Sequence, residues 1–366
     1  MKHEILQLNK ISAIANDTLK NYDIKTESKK PIGIMLRSFN MHEYELPSSV
    51  IAIARAGAGV NNIPCDKYAE KGVCVFNTPG ANANAVAELI VALALNASRN
   101  IIAGSMWASK LEGDNIAKDV EKGKGSFAGN EILGKTIAIL GLGAIGKKVA
   151  TLFNALGLHV KGYDPFISEE TKSLLSFATI CKDPSECVKD SDFVTIHIPY
   201  MESTKNFVDA KLIKNFKKGA ILINGARGEL VNNDDVLSAL SNGAISKYVT
   251  DFPQPQLMNK DNVILIPHLG ASSEEAEDNC ALMAAEELVD YVENGNIKNS
   301  VNLPNLTKAT EGKHRVCILS KSDIDAEDSV SKASRNGLTY TIIDSDKKID
   351  TKKYNSDSVI FVREIR

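Results

Sequence analysis

A chain of 366 residues exceeds what one ordinary core holds and points to two domains with a small additional segment. With 43% apolar and 24% charged residues its balance is that of a folded globular protein, which excludes a disordered or fibrous chain. A formal net charge of -3, without a long basic run in either half, argues against nucleic acid or a membrane surface as partner.

The start, MKHEILQLNK, holds an apolar cluster too short for a secretory signal, and the apolar stretch Ala85 to Ala97 is interrupted by Glu88. A cytoplasmic protein is expected. Ile- and Val-rich runs at Ile32 to Leu36, Val50 to Ala54 and Val73 to Phe76 alternate with segments of helical period, which predicts parallel strands with crossover helices. Asn84 to Ile102 reads as one long helix with apolar positions 86, 89, 90, 93 and 97 on one face. After a polar loop from Leu111 to Gly129, strand-like runs return at Thr136 to Leu140, Leu158 to Gly162, Phe193 to His197, Ala220 to Asn224, Lys247 to Thr250 and Val263 to Ile266. Their spacing, roughly 25 to 35 residues, is that of a doubly wound fold. A last long helix is expected from a capping box of Ser272 and Glu275 to just before Asn294-Gly295. Beyond Pro304 the chain turns polar, with strand-like runs at Arg315 to Leu319, Thr339 to Ile343 and Val359 to Val362 and a helical run from Asp325 to Asn336.

The sharpest local signal is Gly141-Leu142-Gly143-Ala144-Ile145-Gly146, between the strand Thr136 to Leu140 and a helix that opens Lys147-Lys148-Val149-Ala150. Gly141 makes the tight turn, Gly143 admits a pyrophosphate against the backbone, and Gly146 lets helix pack on sheet. The helix N-terminus then faces the phosphates with free N–H groups. Asp164 follows Gly146 by 18 residues at the end of the next strand. A carboxylate there accepts ribose hydroxyls and repels a 2'-phosphate, so NAD is the expected cofactor. The six cysteines, at 65, 74, 181, 187, 280 and 317, have no metal-ligand spacing, so reduced thiols and no metal are expected.

The segments Arg55-Ala56-Gly57-Ala58-Gly59-Val60-Asn61-Asn62, Asn77-Thr78-Pro79-Gly80-Ala81-Asn82, the glycine turn, Asn224-Gly225-Ala226-Arg227-Gly228-Glu229 and Pro267-His268-Leu269-Gly270-Ala271-Ser272 occur in that order. Together they resemble the D-2-hydroxyacid dehydrogenases, and within them the members that oxidise a phosphorylated glycerate, in register from about Ile32 to Val301. The resemblance implies oxidation of D-3-phosphoglycerate to 3-phosphohydroxypyruvate by NAD, the first step of the phosphorylated route to serine, by a homodimer or homotetramer. It implies His268 as general acid/base and Arg227 as the clamp on the substrate carboxylate, both at carboxyl ends of parallel strands where such sheets bind ligands. Asp251, Ala226 and Gly270 join Gly141, Gly143, Ala144, Ile145, Gly146 and Asp164 in the cofactor set. Arg37 and Arg55, with Ala56, Gly57, Ala58 and Asn82, are the expected substrate-binding residues, the loop N–H groups forming an anion nest.

The expected fold is α/β: two doubly wound parallel-sheet domains, Rossmann-like or flavodoxin-like, plus a small α+β C-terminal appendage. Residues 1–92 and 273–303 are read as the substrate domain, 93–272 as the NAD domain and 304–366 as a degenerate ACT-like appendage without serine feedback. One departure concerns the histidine. The family's glutamate partner is missing from Asp251-Phe252-Pro253-Gln254-Pro255-Gln256, which leaves the imidazole easier to deprotonate. Glu274, Glu275 and Glu277 are the candidate substitutes. Another D-2-hydroxyacid as substrate, such as glycerate, hydroxypyruvate or lactate, and a non-catalytic NAD-sensing protein remain the alternatives.

Overall fold

A computed structural model describes residues 2–326 and 329–366. By its internal contacts the chain divides into two units, Met1–Asn82 with Ser273–Arg366, and Ala83–Ser272. The division falls ahead of the long helix, ten residues before the expected 92/93 boundary.

In the first unit β1 (Glu4–Gln7), β2 (Asp23–Lys25), β3 (Gly33–Leu36), β4 (Ala52–Arg55) and β5 (Cys74–Phe76) form a parallel sheet in the order β2-β1-β3-β4-β5. β1 and β2 were not anticipated. Both are too short to show a period, and β2, the edge strand Asp-Ile-Lys with its charged ends exposed, has a single apolar residue. The helix Glu274–Asn294 lays Ala281, Ala284, Ala285 and Leu288 on this sheet, against Ile5, Met35, Ala54 and Phe76. It starts one residue later than expected, because the Ser273 side chain accepts from Ala276 N at 3.2 Å, and stops at Gly295 in the left-handed region, φ 72°.

The second unit contains β6 (Thr136–Leu140), β7 (His159–Tyr163), β8 (Thr179–Ile180), β9 (Phe193–Ile196), β10 (Ala220–Asn224), β11 (Ile245–Thr250) and β12 (Val263–Leu265). All pair in parallel, in the order β12-β11-β10-β9-β6-β7-β8. Strand addition reverses between β6 and β9, which places the binding crevice of such a sheet at the carboxyl ends of these two strands. The helix Ala83–Arg99 packs Val86, Ile90, Leu93 and Ala97 among Ile137, Ile139, Val149 and Phe153, so it belongs wholly to this unit. It breaks at Asn100, φ 54°, instead of running to Ile102. Two further helices, Ile101–Ala108 and Ile116–Gly123, follow, the second inside the expected loop.

The C-terminal segment returns to the first unit as β13 (His314–Ser320), β14 (Ser329–Arg335), β15 (Leu338–Ser345) and β16 (Val359–Glu364), antiparallel in the order β14-β15-β13-β16. The expected α+β appendage is thus corrected. No α-helix occurs among the described residues after Pro304, and the expected helix 325–336 is largely strand β14, while Glu327 and Asp328 lie outside the described residues. The cause is local: Asn336 and Gly337, φ 51° and 75°, make a two-residue turn that folds β14 onto β15. Cys317, Leu319, Tyr340 and Ile342 share a core with Leu288 and Tyr291 of the helix Glu274–Asn294. Arg315 is fully buried, its Nε and Nη2 bonded to Asp344 at 2.7 and 2.8 Å and its other N–H groups to the carbonyls of Asn294, Lys308 and Ala309.

Candidate functional site

In the second unit the turn after β6 has the geometry of a phosphate cradle. Gly141 adopts φ 99°, and a Cβ there would stand 2.6 Å from the carbonyl oxygen of His197. At Gly146 a Cβ would stand 1.9 Å from Gly141 O, so only glycine lets the helix Ala144–Ala155 approach the turn. Around Gly143 a Cβ would meet nothing within 4 Å, so the backbone borders open space at the helix N-terminus. Asp164 closes the arrangement: Oδ2 accepts from Leu142 N and Oδ1 from Phe166 N, both at 2.9 Å. One lone pair remains on each oxygen for further donors. The turn, the helix dipole and this acid together fit the diphosphate and ribose of a dinucleotide.

At the same end of the sheet stand Arg227, Asp251 and His268, after β10, β11 and β12. Asn224 shapes the first loop, its Oδ1 accepting from Ala226 N at 3.1 Å and its Nδ2 donating to Arg227 O at 2.9 Å. Arg227 is half-buried and donates from Nη1 to Ala226 O at 2.6 Å. Asp251 is 1% exposed. Burial raises its carboxyl pKa, offset in part by the charges of His268 and Arg227 and by backbone donors that include Gly270. Its Oδ1 is buried with no partner in the protein. A buried ionisable group of this kind at a strand end is a candidate functional group.

His268 is exposed and sits at φ 39°, a conformation that costs energy for a side chain of this size. Its N–H reaches Asp251 O at 3.0 Å and Ile266 O at 3.2 Å, and its ring lies 4.8 Å from that of Phe252. Gln254, in the segment that lacks the glutamate, accepts at Oε1 from Asn233 Nδ2 at 2.7 Å. His197, at the carboxyl end of β9, was not singled out from the sequence. Burial pushes its pKa down to about 3, its Nε2 contacts Thr195 Oγ1 at 3.0 Å, and its Nδ1 is buried without a partner. A neutral imidazole beside the glycine turn follows.

The first unit carries the remaining candidates at the carboxyl ends of β3 and β4. Arg37 pairs with Glu277 at 2.5 Å. Arg55 donates from Nε to Asn62 Oδ1 at 3.1 Å, and Ala56 N bonds to Leu36 O at 2.8 Å. Gly57 adopts φ 153°, and a Cβ on it would stand 2.5 Å from Arg55 Nη1. Ala58 accepts at its carbonyl from Asn77 Nδ2 at 2.6 Å, and Asn82 is half-buried at the end of the unit's N-terminal part. Of the acids proposed to replace the glutamate, Glu277 is engaged by Arg37, while Glu274 and Glu275 lie exposed in the first turn of their helix.

Residues 91–270 match the family of the D-isomer specific 2-hydroxyacid dehydrogenase NAD binding domain. The D-3-phosphoglycerate dehydrogenase of Methanocaldococcus jannaschii is 35% identical over 267 residues, which are 71% of this chain and 49% of that protein. Its Homo sapiens counterpart is 32% identical over 317 residues, 84% of this chain and 57% of that protein. The chain therefore spans about half the length of the curated relatives it matches. Among solved structures, the NAD+-bound 3-phosphoglycerate dehydrogenase of Entamoeba histolytica superposes with a TM-score of 0.65 at 25% identity, covering 82% of this chain and 99% of that one.

Proposed function

We propose that the chain is a D-isomer-specific 2-hydroxyacid dehydrogenase, the family whose NAD binding domain residues 91–270 match, and that it oxidises D-3-phosphoglycerate to 3-phosphohydroxypyruvate with NAD as hydride acceptor. The observation that carries this reading is the grouping of Arg227, Asp251 and His268 at the carboxyl ends of three neighbouring strands, in the sheet whose β6 ends in the glycine turn. That turn and Asp164 would hold NAD, which would supply the hydride acceptor.

The protein's own groups do the rest. His268 takes the C2 hydroxyl proton, and its exposure leaves the ring open to substrate. Arg227 holds the carboxylate and polarises the forming carbonyl with a planar fork that a lysine does not offer. Asp251, with an unpartnered oxygen, would hold the nicotinamide carboxamide, and Ala226 and Gly270 follow β10 and β12 at the same end of the sheet. The charges of His268 and Arg227 partly offset the burial that raises the Asp251 pKa. In the first unit Arg37 and Arg55, with the N–H group of Ala58 and with Asn82, are the groups left to meet the phosphorylated substrate; the expected nest is narrower, because the N–H groups of Ala56 and Gly57 already donate to Leu36 O and Arg55 O at 2.8 and 2.9 Å.

A dimer is proposed through the second unit, where Ile101, Ile102, Met106 and Ile116 are exposed on neighbouring helices. The six free cysteines suit a reducing compartment such as the cytoplasm. One observation favours a second reading, an unphosphorylated 2-hydroxy acid: Arg37 is already paired with Glu277, so it has less to offer a phosphate. Replacing His268 by Ala tests the main reading. NADH formation is expected to fall by at least about a thousandfold while the affinity for NAD is kept, and near-normal turnover removes His268 from the reaction.

A further inference from the structure

The two arginine-bearing loops of the first unit are stitched together by one residue. Asn62 accepts from Arg55 Nε through Oδ1 at 3.1 Å, and donates from Nδ2 to Arg37 O at 3.2 Å and to Phe39 O at 2.7 Å. Its own carbonyl accepts from Met41 N at 2.8 Å. An asparagine amide has two N–H donors and one acceptor oxygen, and all three groups are used here. The bonds reach 7 residues back to Arg55, and 25 and 23 residues back to Arg37 and Phe39, so they set the loops' positions and not just a local turn. Gly57 lies under the same guanidinium, where any side chain would collide with Arg55 Nη1.

We propose that Asn62 is a positioning residue for substrate recognition: it orients the Arg55 guanidinium and fixes the segment that carries Arg37, so that both cations are aimed before an anionic substrate arrives. This rests on the assignment of Arg37 and Arg55 to substrate binding. The physical content is preorganisation. A long, flexible cation held in one geometry loses less freedom on binding, so the gain appears in substrate affinity and not in the chemical step. The Arg37 guanidinium is paired with Glu277 at 2.5 Å, a part-exposed contact that an arriving anion must displace, so the effect of Asn62 is carried mainly by Arg55.

The test compares Asn62→Ala and Asn62→Asp with the wild-type full chain. In Asn62→Ala the KM for D-3-phosphoglycerate is expected to rise about tenfold or more, with kcat and the KM for NAD within about twofold. Asn62→Asp keeps an acceptor for Arg55 and is expected to recover part of that loss. In 15N-labelled protein, the Arg55 Nε–H resonance is expected to shift and to exchange faster with solvent in Asn62→Ala, and to stay protected in Asn62→Asp. A variant that merely unfolds more easily, with KM and the Arg55 resonance unchanged, overturns the proposal. If the wild type does not turn over D-3-phosphoglycerate, the functional reading fails on its own. The Arg55 resonance then still decides whether Asn62 holds the guanidinium.

Discussion

Glu287 sits in the helix Glu274–Asn294 with 6% of its surface exposed. Its Oε1 accepts from Asn299 Nδ2 at 2.6 Å, while Oε2 is buried with no partner. Burial raises its pKa from 4.5 to about 7, against the opposing effects of the Asn299 bond and Lys298. The unfolded chain releases this proton near the ordinary value and the folded chain holds it longer. The folded state therefore binds more protons between 4.5 and about 7, and stability falls as pH rises through that window. Each pKa unit corresponds to about 1.4 kcal/mol, so the ionised side chain costs about 3 kcal/mol above the window. Glu287→Gln keeps the acceptor for Asn299 and removes the charge. Urea unfolding followed by circular dichroism is expected to show the variant more stable by about 2 to 3 kcal/mol at pH 8 and within about 0.5 kcal/mol of wild type at pH 4.5. Equal midpoints at pH 8, or the same difference at both pH values, would refute the reasoning.

Three further outcomes follow from the same geometry. Gly146→Ala drives a Cβ to 1.9 Å from Gly141 O, so NAD affinity measured by calorimetry is expected to drop at least about tenfold. Asp164→Ser removes a charge that repels a 2'-phosphate, and the NAD to NADP ratio of kcat/KM is expected to fall by about tenfold or more; an unchanged ratio would remove Asp164 from cofactor selection. Asp344→Ala strands the fully buried Arg315 without its counter-charge and is expected to cost about 3 to 5 kcal/mol in urea unfolding. The double replacement Arg315→Met with Asp344→Leu is expected to recover part of that loss, and no recovery would mean that the cost lies in the carbonyls of Asn294, Lys308 and Ala309 that Arg315 serves and not in the stranded charge.

How far the fold could be read in advance varied with its physical signal. The runs that became β6 and β10 carry unbroken Ile, Leu and Ala stretches bounded by turn residues, and both strands have the expected ends, Thr136–Leu140 and Ala220–Asn224. The glycine turn was legible because steric demands leave no alternative at Gly141 and Gly146. By contrast, β14 has the sequence Ser-Val-Ser-Lys-Ala-Ser-Arg, with no period and only Val330 and Ala333 apolar, and is a strand because the Asn336-Gly337 turn pairs it with β15. The boundary at 82/83 was missed because the apolar face of the helix Ala83–Arg99 does not say which sheet it covers. Within the candidate site, the strand ends bearing Arg227, Asp251 and His268 follow from spacing. The positive φ of His268, the capture of Gln254 by Asn233 and the Asn62 stitch are long-range or backbone properties that no linear pattern encodes.

The most direct test is initial-rate NADH formation with D-3-phosphoglycerate, D-glycerate and D-lactate as alternative substrates. The account predicts a kcat/KM for D-3-phosphoglycerate at least about a hundredfold above the other two, with the preference reduced in Arg37→Ala. Equal rates with D-glycerate, or a preference that survives the loss of Arg37, would contradict the assignment of a phosphorylated substrate, and no NADH from any of the three would contradict the oxidation itself.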